Sequence, residues 1–299
     1  MRITMNNIYG SIIANLDKLT GEMQRLNETI SSGKKYTTPS DDPIGLVSAL
    51  EMRSIIDEME QYERNISYGL SWVDSAEIAL RQTGEVVSRA REIAVQMADA
   101  TQDAATRASA AVEVDQLIEQ VVSLANSQLG EKYIFSGQKT DTAPFTYDSG
   151  AGTVTYNGDE EDINIRIGRN NNMAVNKDGN DAFMDGNETS NLFTYLIDLK
   201  EALEGNDVSG IQDSLGNLIT ASDYINEKVA DFGAKRNRLD IKSNIYAELQ
   251  LSNTEKLSDI EDTDLAEAIL NLKTKEVAYQ AALTAASKVM QLSLVDFIR

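Results

Sequence analysis

The chain contains no cysteine and no histidine among its 299 residues. Without cysteine there can be no disulfide, thiolate metal site or thiol nucleophile, and without histidine the commonest general base and the usual zinc ligand are missing. Most hydrolase machinery is thereby excluded. Proline is scarce as well: Pro39, Pro43 and Pro144 are the only three, and because proline interrupts helix interiors, two very long stretches are free to be helical. Aromatic residues reach only 6%. Basic residues are in deficit, with 27 Lys and Arg against 48 Asp and Glu for a formal charge of −21. A nucleic-acid groove needs clustered Lys and Arg, so that function is disfavoured, and an acidic membrane surface would repel the chain. No apolar run approaches the roughly 18 residues of a membrane span, and the stretch from Met1 to Lys18 is too interrupted by Asn, Ser and Asp for a signal-peptide core. If the protein leaves the cytoplasm, it is expected to do so without a cleaved signal peptide.

What the sequence does hold is concentrated at its ends. Met5, Ile8, Ile12, Leu16, Leu19, Met23, Leu26 and Ile30 recur at steps of three and four residues, the spacing of a coiled-coil seam. Leu265, Ile269, Leu272, Tyr279, Leu283, Ala286 and Met290 repeat the pattern near the other end, with Phe297 beyond them. Glu276 and Ser293 interrupt that stripe. Two amphipathic ends that each require a partner point to assembly rather than catalysis. Charge agrees: residues 1–36 hold five basic and three acidic side chains and residues 264–299 hold four of each, so the acidic excess lies between them. The ends can pack beside other copies while the middle keeps the subunit soluble.

Punctuation along the chain gives the elements. The first helix is predicted over 4–30, stopping at Ser31-Ser32-Gly33, where glycine supplies a left-handed terminal residue. Asp42 followed by Pro43 reads as an N-cap and first helical position, opening a helix to about Ala100 in which Gly69 and Gly84 are candidate bends. Asp103 is expected to cap a helix from Ala104 to Leu129, ended by Gly130. Between about Glu131 and Glu188 the period becomes that of strands, with Tyr133-Ile134-Phe135, Thr153-Val154-Thr155-Tyr156 and Ile163-Asn164-Ile165-Arg166-Ile167 bounded by Gly, Asn and Asp. This reads as a peripheral, exposed set of hairpins. Helix resumes near Asn191 after a Thr189-Ser190 cap, breaks near Gly205 and Gly210, and runs to about Ile260. Asp264 then caps the last helix, with Glu267 placed for a capping box. The fold class expected is therefore mainly α with a small β insert: a long helical bundle with terminal coiled-coil helices and an inserted β-hairpin domain. Its parts are 1–42 with 262–299 as the coiled-coil assembly region, 43–130 with 190–261 as the bundle, and 131–189 as the insert.

Other candidate sites resolve into simpler roles. Asp41 and Asp42 could be a metal pair, but a cap beside a solvated residue accounts for them. Asp159-Glu160-Glu161-Asp162 reads as a solvated turn, and Asn176 to Asp185 fails EF-hand spacing because Ala182 falls where a ligand is needed. Lys34 and Lys35 after Gly33 resemble a phosphate loop only until Glu28 is found where its first glycine should be. Trp72 is expected in core or interface packing. The sequons at Asn27, Asn65 and Asn187 occur as often as chance predicts. Neither metal nor cofactor is expected, and no carboxylate pair stands out as an enzyme site.

At both ends the residues resemble the flagellin-like axial protein family of bacterial flagella. Ser31-Ser32-Gly33-Lys34-Lys35 with Ser40-Asp41-Asp42-Pro43 resembles the amino-terminal signature of that family, and Leu265 to Arg299 its carboxy-terminal helix. Three features resemble the branch that sits at the hook-filament junction more than flagellin itself. They are Glu131-Lys132-Tyr133-Ile134-Phe135-Ser136-Gly137 continuing to Thr142-Ala143-Pro144-Phe145, the Asp42-Pro43 step where flagellins usually carry small residues, and the ending Ser293-Leu294-Val295-Asp296-Phe297-Ile298. The resemblance implies a secreted structural adaptor of the flagellum, exported unfolded by the flagellar type III apparatus, with an export chaperone. It implies a ring of identical copies between a neighbouring hook-associated protein and flagellin, with terminal helices that are unfolded in the free subunit and pair in the inner tube. The alternatives are a filament-forming flagellin and a cytoplasmic coiled-coil scaffold with folded termini.

Overall fold

The computed structural model describes residues 5–36, 38–186 and 190–297, the side chains of 5–9 and 289–297 excepted. Its contacts divide the chain into two units, one made of the residues up to Glu58 and from Leu249 onward, the other of Met59–Glu248. Seven helices and three antiparallel strand pairs make up the described residues.

Local chemistry sets the helix ends. Helix α1 spans Met5–Ser32 and stops where Gly33 turns left-handed at φ 71°, its N–H donating to the Thr29 carbonyl at 2.9 Å. Helix α2 runs for 55 residues, Pro43–Met97. The Asp42 carboxylate accepts from the Ile44 and Gly45 N–H groups at 3.1 and 2.9 Å, so it satisfies two of the donors that a helix start leaves free. The helix continues through Gly69 and Gly84. A Cβ at Gly69 would lie 2.5 Å from the Ile165 side chain, so this glycine marks a close approach of the insert, where a bend was expected.

Helix α3, Ala104–Ala125, begins at its Asp103 cap as expected but ends four residues before Leu129. The reason is Asn126. Its side-chain amide donates to the Phe145 carbonyl at 2.8 Å and its side-chain carbonyl accepts from the Phe145 N–H at 2.9 Å, ending the helix and docking the insert strand that begins at Phe145 in one pairing. Gln128–Leu129 then forms β1 and pairs with β2, Lys132–Tyr133, around Gly130 at φ 64°.

Two further hairpins follow. Strand β3, Phe145–Asp148, pairs with β4, Thr153–Tyr156; β5, Asn164–Gly168, pairs with β6, Asn171–Ala174, with an irregularity between Arg166 and Gly168. The expected strand at 133–135 is a strand at Tyr133 alone, because Ile134 and Phe135 turn inward and are buried. The insert is not peripheral to the bundle. Phe135 and Phe183 meet edge to face with centroids 4.9 Å apart, Phe145 packs against Phe193 at 5.1 Å with the rings tilted by 44°, and all four belong to one core with Trp72, Leu80, Ile118 and Leu196. Removing these side chains from water is the main force assembling the second unit.

The remaining helices are α4, Gly179–Phe183, α5, Leu192–Glu204, α6, Val208–Glu261, and α7, Leu265–Phe297. The cap of α5 is Asn191, whose side chain accepts from Phe193 and Thr194, rather than the expected Thr189-Ser190 pair, of which Thr189 lies outside the described residues. Gly205 ends α5 as expected, while Gly210 lies inside α6. Asp264 caps α7, accepting from Ala266 and Glu267 at 2.9 and 3.1 Å.

Candidate assembly interface

Helices α1 and α7 pack against each other in the first unit. They run antiparallel: Lys34 bridges Asp262 where the loops meet, and twelve residues back along α1 Glu22 accepts from Lys275 at 2.6 Å. That contact holds the Glu22 carboxyl below its ordinary value. On α1 the predicted residues Ile12, Leu16, Leu19, Met23, Leu26 and Ile30 are all half-buried, and Ile13 beside them is exposed. Ile8 lies on the helix, its side chain outside the description.

On α7 the predicted stripe divides. Leu272, Tyr279 and Ala286 are half-buried, but Leu265, Ile269 and Leu283 are 44–48% exposed. The face turned inward follows Ala268, Leu272, Lys275, Tyr279, Ala282 and Ala286, a run at steps of four and three of which Leu272, Tyr279 and Ala286 were expected, while Ala268, Lys275 and Ala282 were not, because alanine and lysine are weak signals of an apolar face. Glu276, the apparent flaw in the stripe, pairs with Lys273 on its own helix at 2.7 Å. Met290 and Phe297 lie on α7, their side chains outside the description. On the side of α7 away from α1, Leu270 and Val277 stand 67% and 65% exposed, seven residues apart. A helix apolar around most of its circumference belongs in an interior, and α1 covers only one side.

The two loops at the base of this pair are joined. Lys35 N–H donates to the Glu261 carbonyl at 2.6 Å and Thr263 N–H to the Gly33 carbonyl at 2.9 Å. Lys34 Nζ lies 2.7 Å from Asp262 and 2.9 Å from Glu261, and Arg53 Nη2 lies 2.7 Å from Glu261. The Glu261 side chain is only 4% exposed. Burial pushes its carboxyl up, but the hydrogen bonds from Lys34 and Arg53 outweigh burial and leave it below its ordinary value. Asp262 is likewise held down by Lys34 and Ser258, and Lys34 is raised by Asp262 and Glu261. Tyr36 is raised by burial and by the neighbouring Asp42.

The acidic clusters weighed as cation sites turn out to serve the chain itself. Asp41 accepts from the backbone N–H and hydroxyl of Thr38, and Asp42 caps α2. Asp159 accepts from the Gln138 and Glu161 N–H groups, and buried Asn176 ties Ile163 to Glu161. Among the described residues no group of three or more acidic side chains is placed to hold a metal.

Long helices at both chain ends, paired antiparallel with apolar side chains of α7 left exposed, have the layout of an axial-type subunit. The bacterial flagellin N-terminal helical region matches residues 3–140 and the C-terminal helical region residues 215–298. Flagellar hook-associated protein 3 of Salmonella typhimurium is 26% identical over 328 aligned positions covering 100% of each chain. Flagellin FlaB2 of Treponema pallidum is 30% identical over 268, covering 87% of this chain and 85% of that one. The fold is shared with the flagellar junction protein FlgL from Legionella pneumophila, at a TM-score of 0.59 and 16% identity over 71% of this chain and 100% of that one. The chain belongs to the flagellin family.

Proposed function

We infer that this protein is a structural adaptor of the bacterial flagellum, forming a ring at the hook-filament junction that joins the hook side to the flagellin filament. The observation that carries this reading is full-length similarity to hook-associated protein 3, without loss of either end. The mechanism is mechanical. Residues 1–42 with 262–299 make subunit-to-subunit contacts, and the α7 side chains left exposed by α1 supply their apolar part. Such contacts are heterologous and can close into a ring or propagate along a tube. The partners are other copies of the chain, a hook-associated protein on one side, flagellin on the other, and, before assembly, the export apparatus and an export chaperone. The site of action is extracellular and export needs no cleaved signal. The role is structural, not enzymatic.

A second reading, a filament-forming flagellin, is favoured by the 30% identity to FlaB2. Deleting the gene in the source bacterium separates them by electron microscopy and an assay of the medium. Bare hooks with a different flagellin shed as monomer support the adaptor, bare hooks with no other flagellin make this chain the filament subunit, and normal filaments overturn both.

A further inference from the structure

The β5–β6 hairpin is acidic at one end and basic at the other. Strand β5 starts just after the Asp159-Glu160-Glu161-Asp162 turn and runs to a tip at Arg169 and Asn170. In the acidic turn, Asp159 accepts from the Gln138 and Glu161 N–H groups and Glu160 from the Asn180 side-chain amide at 3.0 Å. The exposed carboxylates of Glu161 and Asp162 take part in neither a hydrogen bond nor an ion pair among the described residues. At the tip, Arg238 of α6 donates from Nη2 to the Asn171 side chain at 3.3 Å, and the Tyr246 hydroxyl donates to the Ile167 carbonyl at 2.7 Å. Lys242, one turn after Arg238, lies 5.9 Å from the centre of the Tyr246 ring; that ring packs on Tyr62 at 5.6 Å, and Arg166 lies 5.7 Å from the centre of Tyr62. Each ring of the pair thus holds a cation in place. Arg169, Arg238 and Lys242 make no ion pair among the described residues.

In a chain of formal charge −21, free carboxylates are the ordinary state of the surface and a group of unmatched cations is the exception. The two ends of the hairpin cannot neutralise each other in one copy, because seven residues of extended chain, roughly 23 Å, separate Asp162 from Arg169. Between copies they can. Subunits this acidic repel when packed side by side, and a basic tip set on a neighbour's acidic turn replaces repulsion with attraction at that place. We propose that the tip of the β5–β6 hairpin, with Arg238 and Lys242 of α6, docks on the turn at Glu161 and Asp162 of a second copy of this chain. The contact is heterologous, so each copy gives its tip to one neighbour and its turn to the other. This rests on the reading of the chain as a self-assembling subunit and gives the insert the task of ordering the copies head to tail.

The natural chain has no cysteine, so introduced thiols report this contact alone. Asn164→Cys marks the acidic end and Asn170→Cys the tip; both positions are exposed and neutral. Within one copy they lie roughly 20 Å apart along the strand, beyond the reach of a short bis-maleimide. Co-expressed as full chains in the deletion strain, the two single-cysteine variants are expected to cross-link into dimers, and neither variant alone. Adding Arg238→Glu and Lys242→Glu to both should cut the product roughly tenfold, as for the loss of two exposed ion pairs. Adding Glu161→Lys and Asp162→Lys as well should restore it, a recovery that a folding defect could not produce. A product from Asn170→Cys alone, no product from the mixture, or a charge reversal that changes nothing or is not repaired by the compensating pair would each overturn the contact. Gene deletion judges the adaptor reading separately: bare hooks without the cross-link keep the adaptor and overturn the contact, and the cross-link without bare hooks does the reverse.

Discussion

Arg107 shows how this chain spends a buried cation. It is 4% exposed on α3, and its guanidinium donates to the Met97 carbonyl at 3.0 Å, the Asp99 carbonyl at 2.9 Å and the Asn206 side chain at 2.5 Å. Met97 closes α2, where unpaired carbonyls and the negative end of the helix dipole accumulate, so a planar five-donor cation suits the place. Asn206 sits at φ 54°, one of two described non-glycine residues with positive φ. One side chain thus ties the α2–α3 turn to the α5–α6 turn. Arg107→Met should keep most of the volume while leaving three acceptors without their donor, at a cost of roughly 2–4 kcal/mol. Urea unfolding followed by fluorescence of the buried Trp72 would measure it, and an unchanged midpoint would refute the role.

At the scale of elements, the joint at the base of α1 and α7 carries a pH signature. Glu261 and Asp262 have lowered values in the folded chain, so their contribution is complete above the ordinary carboxylate range and is lost as pH falls through the folded values. Lys34 is raised, so its contribution is complete below the ordinary lysine value and fades only in strong alkali. The groups facing Glu261 are Lys34 and Arg53, with Asp262 and Tyr36 near them, and Lys34, held above its ordinary value, stays charged throughout the acid range. Hydrogen-exchange protection of α1 and α7 should therefore be flat from about pH 5 to pH 8 and fall below about pH 4, and Glu261→Gln should shrink the acid step. Exchange rates corrected for intrinsic pH dependence would check this; an acid step of equal size in the variant would count against it.

The same joint shows what sequence could and could not reveal. The caps at Asp42, Asp103 and Asp264 and the left-handed Gly33 were legible, because each acts on backbone within three or four residues. Lys34 and Glu261 stand 227 positions apart, and nothing local marks either as a partner. Asn126 was unreadable for a similar reason: it ends α3 by bonding Phe145, which only the fold brings near. On α7, Leu265 and Ile269 dominate the periodicity yet stay exposed, while Ala268 at 5% exposure faces inward. Hydrophobic spacing gives the width of an apolar face, and for a helix apolar on several sides it cannot say which side its own chain covers.

For the molecule as a whole, that division of α7 separates folding from assembly. Ala268 belongs to the contact with α1, so a charge there attacks the terminal pair itself. Ile269, one residue on, is 48% exposed in the single subunit, and in the proposed assembly it is a side chain that another subunit would cover. Ile269→Asp is therefore expected to leave the exchange protection of 59–248 and the melting of the isolated chain nearly unchanged, within about 0.5 kcal/mol. It should nonetheless block incorporation into flagella, because an unpaired charge at a buried interface costs several kcal/mol. Ala268→Asp should do both kinds of damage, loosening 10–32 and 265–288 in the free chain as well as stopping assembly. Complementing the deletion strain with each variant, and scoring filaments by microscopy beside exchange on the purified proteins, reads both arms together. Normal filaments with Ile269→Asp would mean that the outer face of α7 is not a subunit contact. Equal loosening by both variants would mean that the two faces do not divide folding from assembly.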